Sequence, residues 1–151
     1  MSSSQKNLAE ILEETGGCVC LNLRGSARAV TQFFDGILKP SGLKVTQFSV
    51  LAAVATEGPA SMTAISKSLV MDRTTLTRNL KPLFDRGLVR EGKDEADRRQ
   101  RQITLTREGK TILSKALPLW DQAQKQFLDG IGFARWHGMR RLLDETIELS
   151  K

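Results

Sequence analysis

The chain has 151 residues, a net charge of +6 and a hydrophobic fraction of 40%, values that suit one packed domain and exclude wholesale disorder. No apolar run reaches the roughly 20 residues that cross a bilayer, and the N-terminus lacks the basic start and continuous apolar core of a signal peptide. We therefore expect a cytoplasmic protein without a membrane partner. Its two cysteines, Cys18 and Cys20, are too few for a disulfide framework.

The first long element is a predicted helix from Cys18 to Lys39. Its apolar residues recur at helical spacing, and Pro40-x-Gly42 marks its end. Residues 1–17 carry serines at one end and glycines at the other, so we expect a flexible N-terminal segment with at most a helical turn or two. The inward face of the long helix is predicted to consist of Leu21, Ala27, Val30, Phe34, Ile37 and Leu38.

A second helix is predicted from Gln47 to Thr56, with Thr46 as its cap and Gly58-Pro59 as its stop. A short helix should follow, capped by Ser61 or Thr63, because Ile65 and Leu69 lie one turn apart and give it an inward face. Ser66 and Lys67 are then expected to face outward, and Val70-Met71 is left as a tight connection.

A longer helix is predicted to start at Asp72, whose carboxylate can accept hydrogen bonds from the amides of a first helical turn. Pro82 predicts either a bend late in this helix or its end near Lys81. Cations and hydroxyls on an exposed helical stripe can contact the phosphates and bases of a DNA duplex, so the two helices resemble a helix-turn-helix. The predicted apolar face is Leu76, Leu80, Leu83 and Phe84, and the predicted outward face is Thr74, Thr77, Arg78 and Lys81.

Two short strands, Leu88-Val89-Arg90 and Ile103-Thr104-Leu105, are predicted after Gly87, which stops the helix. The loop from Glu91 to Arg101 between them is too polar for a core and is a candidate wing. Between residues 61 and 107, eleven lysines and arginines stand against six acidic residues, so most of the positive excess lies on this segment. That distribution is typical of phosphate binding.

Thr106 is predicted to cap a long helix that runs towards Gly130 with a bend at Pro118, and a last helix should cover residues 133–149. These helices carry more apolar surface than one small domain can cover. We therefore expect an isologous homodimer built from them and from the helix at residues 18–39. Two-fold symmetry would then predict palindromic DNA with half-sites about one helical turn apart.

Three segments together resemble the MarR family of dimeric winged-helix repressors, over about residues 18–150: Asp72-Arg73-Thr74-Thr75-Leu76-Thr77-Arg78, Arg86-Gly87-Leu88-Val89, and Asp94-x-x-Asp97-Arg98-Arg99 followed by Leu105-Thr106-x-x-Gly109. The resemblance implies a bacterial or archaeal transcription regulator. It implies that Arg99 enters the minor groove at the wing tip and that Asp97 orients the wing arginines. It also implies a small aromatic or amphipathic effector. Candidates to line its cleft, unless they are ordinary core, are Phe33, Phe34, Phe48, Trp120, Phe127 and Trp136.

The predicted fold is mostly α with a small β-wing: a winged helix-turn-helix lobe at residues 46–106, with dimerisation helices at 18–45 and 107–151. The predicted function is sequence-specific binding of double-stranded DNA by a transcription regulator, favoured as a repressor, that a small molecule or an oxidant releases. We assign base edges to Thr74, Thr75, Thr77 and Arg78, phosphates mostly to Lys67, Arg73 and Lys81, and the minor groove to Arg99 with Arg98 and Arg101.

Other functions stay open at this point. Counting back from Arg28, Cys20 falls where the organic hydroperoxide sensors of the family carry their sensing cysteine. Those sensors hold the thiolate with tyrosines, and this chain has no tyrosine. A redox sensor using Cys20, a ligand sensor acting through protein partners and a sequence-neutral architectural protein are the alternatives. His137 is the one histidine, and no nucleophile with a base or phosphate-cradling loop is seen. We therefore expect no enzyme, no cofactor and no metal site.

Overall fold

The computed structural model describes residues 7–93 and 101–150. It divides into two compact units, Met1–Phe33 and Phe34–Lys151. Among the described residues, no helix combines the length and the apolar character needed to cross a bilayer.

The N-terminal unit begins with a two-turn helix, α1 (Leu8–Glu14), and a 3₁₀ turn at Thr15–Gly17. The Asn7 side chain accepts a hydrogen bond from the Glu10 amide (3.0 Å), and the Glu10 carboxylate accepts one from the Asn7 amide (2.9 Å). This reciprocal capping satisfies two amides that a helix start leaves unpaired. The helical turns predicted within residues 1–17 are therefore confirmed.

Helix α2 (Val19–Leu38) matches the predicted long helix, and a 3₁₀ turn leads to Gly42 in the left-handed conformation (φ 71°). The predicted inward face is only partly correct. Phe34 and Leu38 are buried, but Leu21 is 54% exposed and Ala27 is exposed too. The apolar stripe along the first half of α2 is thus left uncovered by the described part of this single chain.

Helix α3 (Val45–Glu57) begins earlier than predicted, and the assignment of Thr46 as its cap is wrong. The cap position is Lys44, whose amide donates to Gln47 Oε1 (3.1 Å). The next amide, of Val45, donates to Asp35 Oδ1 at 2.7 Å. Side chains from both directions therefore satisfy the first amides, and Thr46 lies inside the helix. The stop at Gly58 is confirmed.

A three-stranded antiparallel sheet has the order β1-β3-β2, and only two of its strands were predicted. The missed strand pairs Ala60 with Ile103 and Ser61 with Gln102. The other two are longer than predicted, because Lys93 pairs with Arg101 at what was predicted to be loop. The strands are β1 (Ala60–Ser61), β2 (Val89–Lys93) and β3 (Arg101–Leu105).

Helices α6 (Arg107–Ile131) and α7 (Phe133–Leu149) follow the sheet as predicted. The Thr106 hydroxyl caps α6 by accepting from the Gly109 amide (3.0 Å), and it donates to the Gly87 carbonyl (2.6 Å). Helix α6 continues through Pro118. None of the seventeen residues that the structure describes in α7 is buried.

The core of the second unit is one cluster of aliphatic side chains together with Phe48. It is built from α3, from the two helices of residues 62–85 described below, from the sheet and from α6. Its fully buried large side chains are Leu38, Val50, Leu51, Val54, Ile65, Leu76, Leu80, Leu83 and Ile103.

Candidate nucleic-acid interface

Helix α4 (Met62–Ser68) is the short helix predicted after Pro59, and Ser61 is its cap. The Ser61 hydroxyl accepts from the Ala64 amide at 3.1 Å. Ile65 is fully buried and Lys67 is exposed, as predicted. The outward placement of Ser66 is wrong: its hydroxyl oxygen is buried and has no hydrogen-bond partner among the described residues.

The turn from α4 to the next helix is tight. The Met71 amide donates to the Ser66 carbonyl (2.9 Å), and the Val70 amide donates to the Lys67 carbonyl (3.3 Å). Val70 has a positive φ of 49°, which costs a β-branched residue roughly 1–2 kcal/mol. The hydrogen bonds donated by the Val70 and Met71 amides hold the reversal despite this strain.

Helix α5 (Arg73–Asp85) starts at Asp72, as predicted. Asp72 Oδ1 accepts from the Thr75 amide (2.8 Å), and Oδ2 accepts from the Thr75 hydroxyl (2.6 Å). These bonds, the one from the Thr75 hydroxyl first, hold the pKa of Asp72 below its usual value. Because the pKa of Asp72 is lower in the folded than in the unfolded protein, its ionisation stabilises the folded state at pH values above the unfolded-state pKa. This stabilisation is lost as the pH falls through the folded-state pKa. The cap is ionised at neutral pH.

The two faces of α5 differ as the sequence predicted, with one exception. Leu76, Leu80 and Leu83 are buried, whereas Phe84 is 37% exposed and is wrongly placed in the apolar face. The helix continues through Pro82, so an end near Lys81 is wrong as well. The exposed side chains are Arg73, Thr74, Thr77, Arg78 and Lys81, while Thr75 is half-buried.

Two of the cations predicted to contact DNA, Lys81 for phosphate and Arg101 for the minor groove, have carboxylate partners within the chain. Lys81 Nζ lies 2.8 Å from Asp85 Oδ2, in an ion pair whose two side chains are both largely exposed. Arg101 Nη1 lies 3.0 Å from Glu91 Oε2 across the β2–β3 pair. Exposed pairs of this kind are weak in water, so either cation can exchange its carboxylate for a phosphate. The predicted wing residues Asp97, Arg98 and Arg99 lie outside the described residues.

One contact that supports α5 was missed by the sequence reasoning. Arg86 Nη1 donates to the Gly42 carbonyl at 3.0 Å, which ties the end of α5 to the turn before α3. The two residues are 44 positions apart, so no local pattern could have indicated the bond. A second missed contact joins Arg90 Nε to the Thr104 hydroxyl (3.2 Å) across the hairpin.

Cys18 and Cys20 are both exposed, Cys18 just before α2 and Cys20 in its first turn. Among the described residues no group of three or more candidate ligands that could hold a metal ion occurs. Phe48 stacks on Trp120 with ring centroids 5.8 Å apart, and Phe127 meets Trp136 edge to face at 6.3 Å. Phe34 and Phe48 are buried, so these two rings belong to the packed interior.

The arrangement is a winged helix-turn-helix. It consists of a short helix, a tight turn, a capped second helix with an exposed basic face, and an antiparallel hairpin. The sequence model of the MarR family matches residues 41–100. The crystal structure of the M. tuberculosis transcriptional regulator MosR in complex with DNA is 36% identical, with a TM-score of 0.79, covering 88% of this chain and 96% of MosR. The chain belongs to the MarR family of transcription regulators.

Two further relatives are similar over less of their sequence or at lower identity. HosA of Escherichia coli O157:H7, a transcriptional regulator, is 37% identical over 82 residues, which are 54% of this chain. The chain matches 61% of HosA's length, less than two thirds. BpsR of Bordetella bronchiseptica, whose DNA binding is regulated by 6-hydroxynicotinic acid, is 26% identical with a TM-score of 0.75, covering 85% of this chain and 91% of BpsR.

Proposed function

We propose that this regulator binds specific operator DNA as a homodimer, and that it is a repressor. The observation that carries the proposal is the division of α5 into a buried leucine face and an exposed face of threonines, arginines and a lysine. A helix of 13 residues is about 20 Å long and fits a major groove that is about 12 Å wide. The similarity to MosR, which was crystallised with DNA, supports this use of the fold.

The side chains of α5 and its surroundings divide by chemistry. Arginine can contact a guanine edge through two hydrogen bonds, so we propose Arg78 for base reading together with Thr74, Thr75 and Thr77. Arg73, Lys81 and Lys67 are proposed for phosphates, because long cationic side chains at the flanks of a groove reach the backbone. Arg99, with Arg98 and with Arg101 at the loop end of the β2–β3 hairpin, is proposed for the minor groove.

The exposed apolar side chains support the homodimer. In the N-terminal unit, Leu8 and Val19 are 71% and 69% exposed, and in α7 Phe133 and Leu149 are 73% and 89% exposed. Each 100 Å² of apolar surface removed from water contributes about 2.5 kcal/mol, so a partner that covers such side chains is favoured. We propose α2, α6 and α7 as the dimer helices and residues 46–106 as the DNA-binding lobe of each protomer.

We further propose that a signal molecule in the cytoplasm controls binding. A small aromatic or amphipathic anion would release DNA if it bound more tightly to a dimer whose two α5 helices are mis-spaced for successive major grooves. The regulation of BpsR by 6-hydroxynicotinic acid supports an effector of this chemistry.

Selection of bound sequences from a random duplex pool tests the proposal. We expect inverted repeats whose half-site centres are about 10 base pairs apart, because a two-fold dimer presents its α5 helices in that relation. Arg78→Ala should weaken binding by roughly 1–3 kcal/mol and relax the preference at one position of each half-site. Lys125→Ala, which removes an exposed cation of α6, is the control and should leave the selected sequence unchanged. A pool without enrichment contradicts specific binding, and an unchanged Arg78→Ala selection contradicts the site.

A second candidate function is redox sensing at Cys20. Its exposure near the start of α2, with Arg24 one turn away and also exposed, leaves the sulfur accessible to an oxidant. If Cys20 is the sensor, cumene hydroperoxide should release wild-type protein from selected DNA while the Cys20→Ser protein stays bound. Both proteins should bind equally before treatment. Equal release of the two by the hydroperoxide would exclude Cys20 as the sensor.

A further inference from the structure

We propose that Thr77 reads the C5-methyl group of a thymine through its own methyl group, and that its hydroxyl is not the reading group. The inference rests on the proposed insertion of α5 into the major groove. Thr77 is exposed on α5, in the stripe that also carries Arg73, Thr74 and Arg78. Its hydroxyl donates a hydrogen bond to the Arg73 carbonyl, one turn earlier, at 2.8 Å.

That bond determines what Thr77 can offer to a base. A hydroxyl has one proton, so while it is donated to the Arg73 carbonyl it cannot be donated to guanine O6, adenine N7 or thymine O4. The oxygen keeps its acceptor lone pairs, but the bond holds it against the helix backbone. The γ-methyl is then the group available for close contact with a base, and a β-branched side chain has few χ1 options in a helix.

The same bond occurs in α6 and α7, so it is an intrinsic preference of helical threonines and does not depend on DNA. Thr111 in α6 donates to the Arg107 carbonyl (3.0 Å), and Thr146 in α7 donates to the Leu142 carbonyl (2.7 Å). Thr75 differs from Thr77, because it is half-buried and its hydroxyl belongs to the Asp72 cap. Thr77 is thus an outward threonine with a committed hydroxyl on the face proposed to meet DNA.

Thymine is the partner that fits an exposed methyl group. It is the one standard base that presents a methyl group in the major groove, and apolar contact with that group is a recognised form of base readout. Cytosine presents an amino donor at the neighbouring position, which a methyl group cannot satisfy. Thr77 would therefore favour thymine over cytosine next to the base read by Arg78.

The test compares the binding of two variants to a matched set of duplexes. Thr77→Val keeps the branched methyl and removes the hydroxyl, and Thr77→Ser keeps the hydroxyl and removes the methyl. The duplexes are the sequence selected by wild-type protein and copies in which each thymine in turn is replaced by uracil, which lacks only the methyl group. Fluorescence anisotropy gives the affinities, and thermal unfolding checks that both variants are folded.

Wild-type protein and Thr77→Val should both lose about fourfold in affinity when one particular thymine is replaced, the effect of roughly one buried methyl group. Thr77→Ser lacks the methyl in both protomers of the dimer, so it should bind the thymine duplex about fourfold more weakly than wild type binds the duplex with one uracil. It should show no further loss on uracil. Thr111→Ser, the matched control in α6, should respond to uracil as wild type does.

Three results would overturn the inference. If wild-type protein binds specifically and no uracil replacement lowers its affinity, the methyl contact is excluded, although the proposed function survives. A loss of affinity in Thr77→Val that Thr77→Ser does not share makes the hydroxyl the reading group. If wild-type protein enriches no sequence from the random pool, both the proposed function and this inference are contradicted.

Discussion

Gly109→Ala should destabilise the protein by about 3 kcal/mol, at the upper end of the usual cost of overpacking. A Cβ at residue 109 would lie 1.9 Å from the carbonyl oxygen of Leu88 and 2.9 Å from its carbonyl carbon. Both are backbone atoms, so no side-chain rotation relieves the clash. The Leu88 oxygen also accepts from the Thr106 amide at 3.1 Å, which holds the start of α6 close to the start of β2. Urea denaturation of the two proteins measures the difference.

Gly130→Ala is the matched control for this prediction, because Gly130 lies in the same helix. Apart from its chain neighbours and the nearby backbone of that helix, a Cβ there would meet no described atom within 4 Å. It should be neutral or stabilising by up to about 1 kcal/mol, since alanine is the better helix former. If Gly109→Ala were as stable as Gly130→Ala, the close approach of α6 to Leu88 would be wrong.

The helix starts that were predicted correctly depend on local chemistry. Asp72 and Thr106 each stand three residues before the amide that they cap, so the signal lies within one turn of sequence. The start of α3 was misplaced because the Val45 amide in its first turn is satisfied by Asp35, which lies ten residues upstream. A cap supplied from a distance leaves no local pattern to recognise.

The faces of the helices were predictable except at their edges. Leu76, Leu80 and Leu83 lie at the centre of the apolar face of α5 and are buried, whereas Phe84 lies at its margin and is partly exposed. The apolar spacing along α2 was also read correctly, but spacing does not tell whether a stripe meets its own core or another molecule. Leu21 was therefore predicted to be buried and is exposed in the single chain.

The support of the candidate site could not be predicted, because it comes from contacts between distant residues. The bond from Arg86 to Gly42 and the ion pair of Arg101 with Glu91 join different elements of the second unit. Each depends on the tertiary arrangement that the buried core imposes. Strand β1 was missed for a related reason: its two residues carry no alternation, and their partners on β3 lie more than 40 positions along the chain.

Binding to the selected operator should weaken steeply with salt, because several cations would replace counterions along the DNA. The described candidates are Lys67, Arg73, Lys81 and Arg101, and a dimer doubles their number. If the dimer neutralises about 6–10 phosphates, its affinity should fall by roughly 10³–10⁵ between 50 and 200 mM salt. Fluorescence anisotropy in a KCl series gives the slope of log affinity against log salt.

The change of that slope in single variants distinguishes phosphate contacts from base contacts. Arg73→Gln should reduce its magnitude by about two, one phosphate for each protomer, whereas Thr74→Ala should lower affinity without changing the slope. Equal affinity for selected and random duplexes, with the slope still steep, would instead favour a sequence-neutral architectural protein. A weak, salt-independent interaction would favour a sensor that acts through protein partners, because the exposed cations of α5 would then have no polyanion to neutralise.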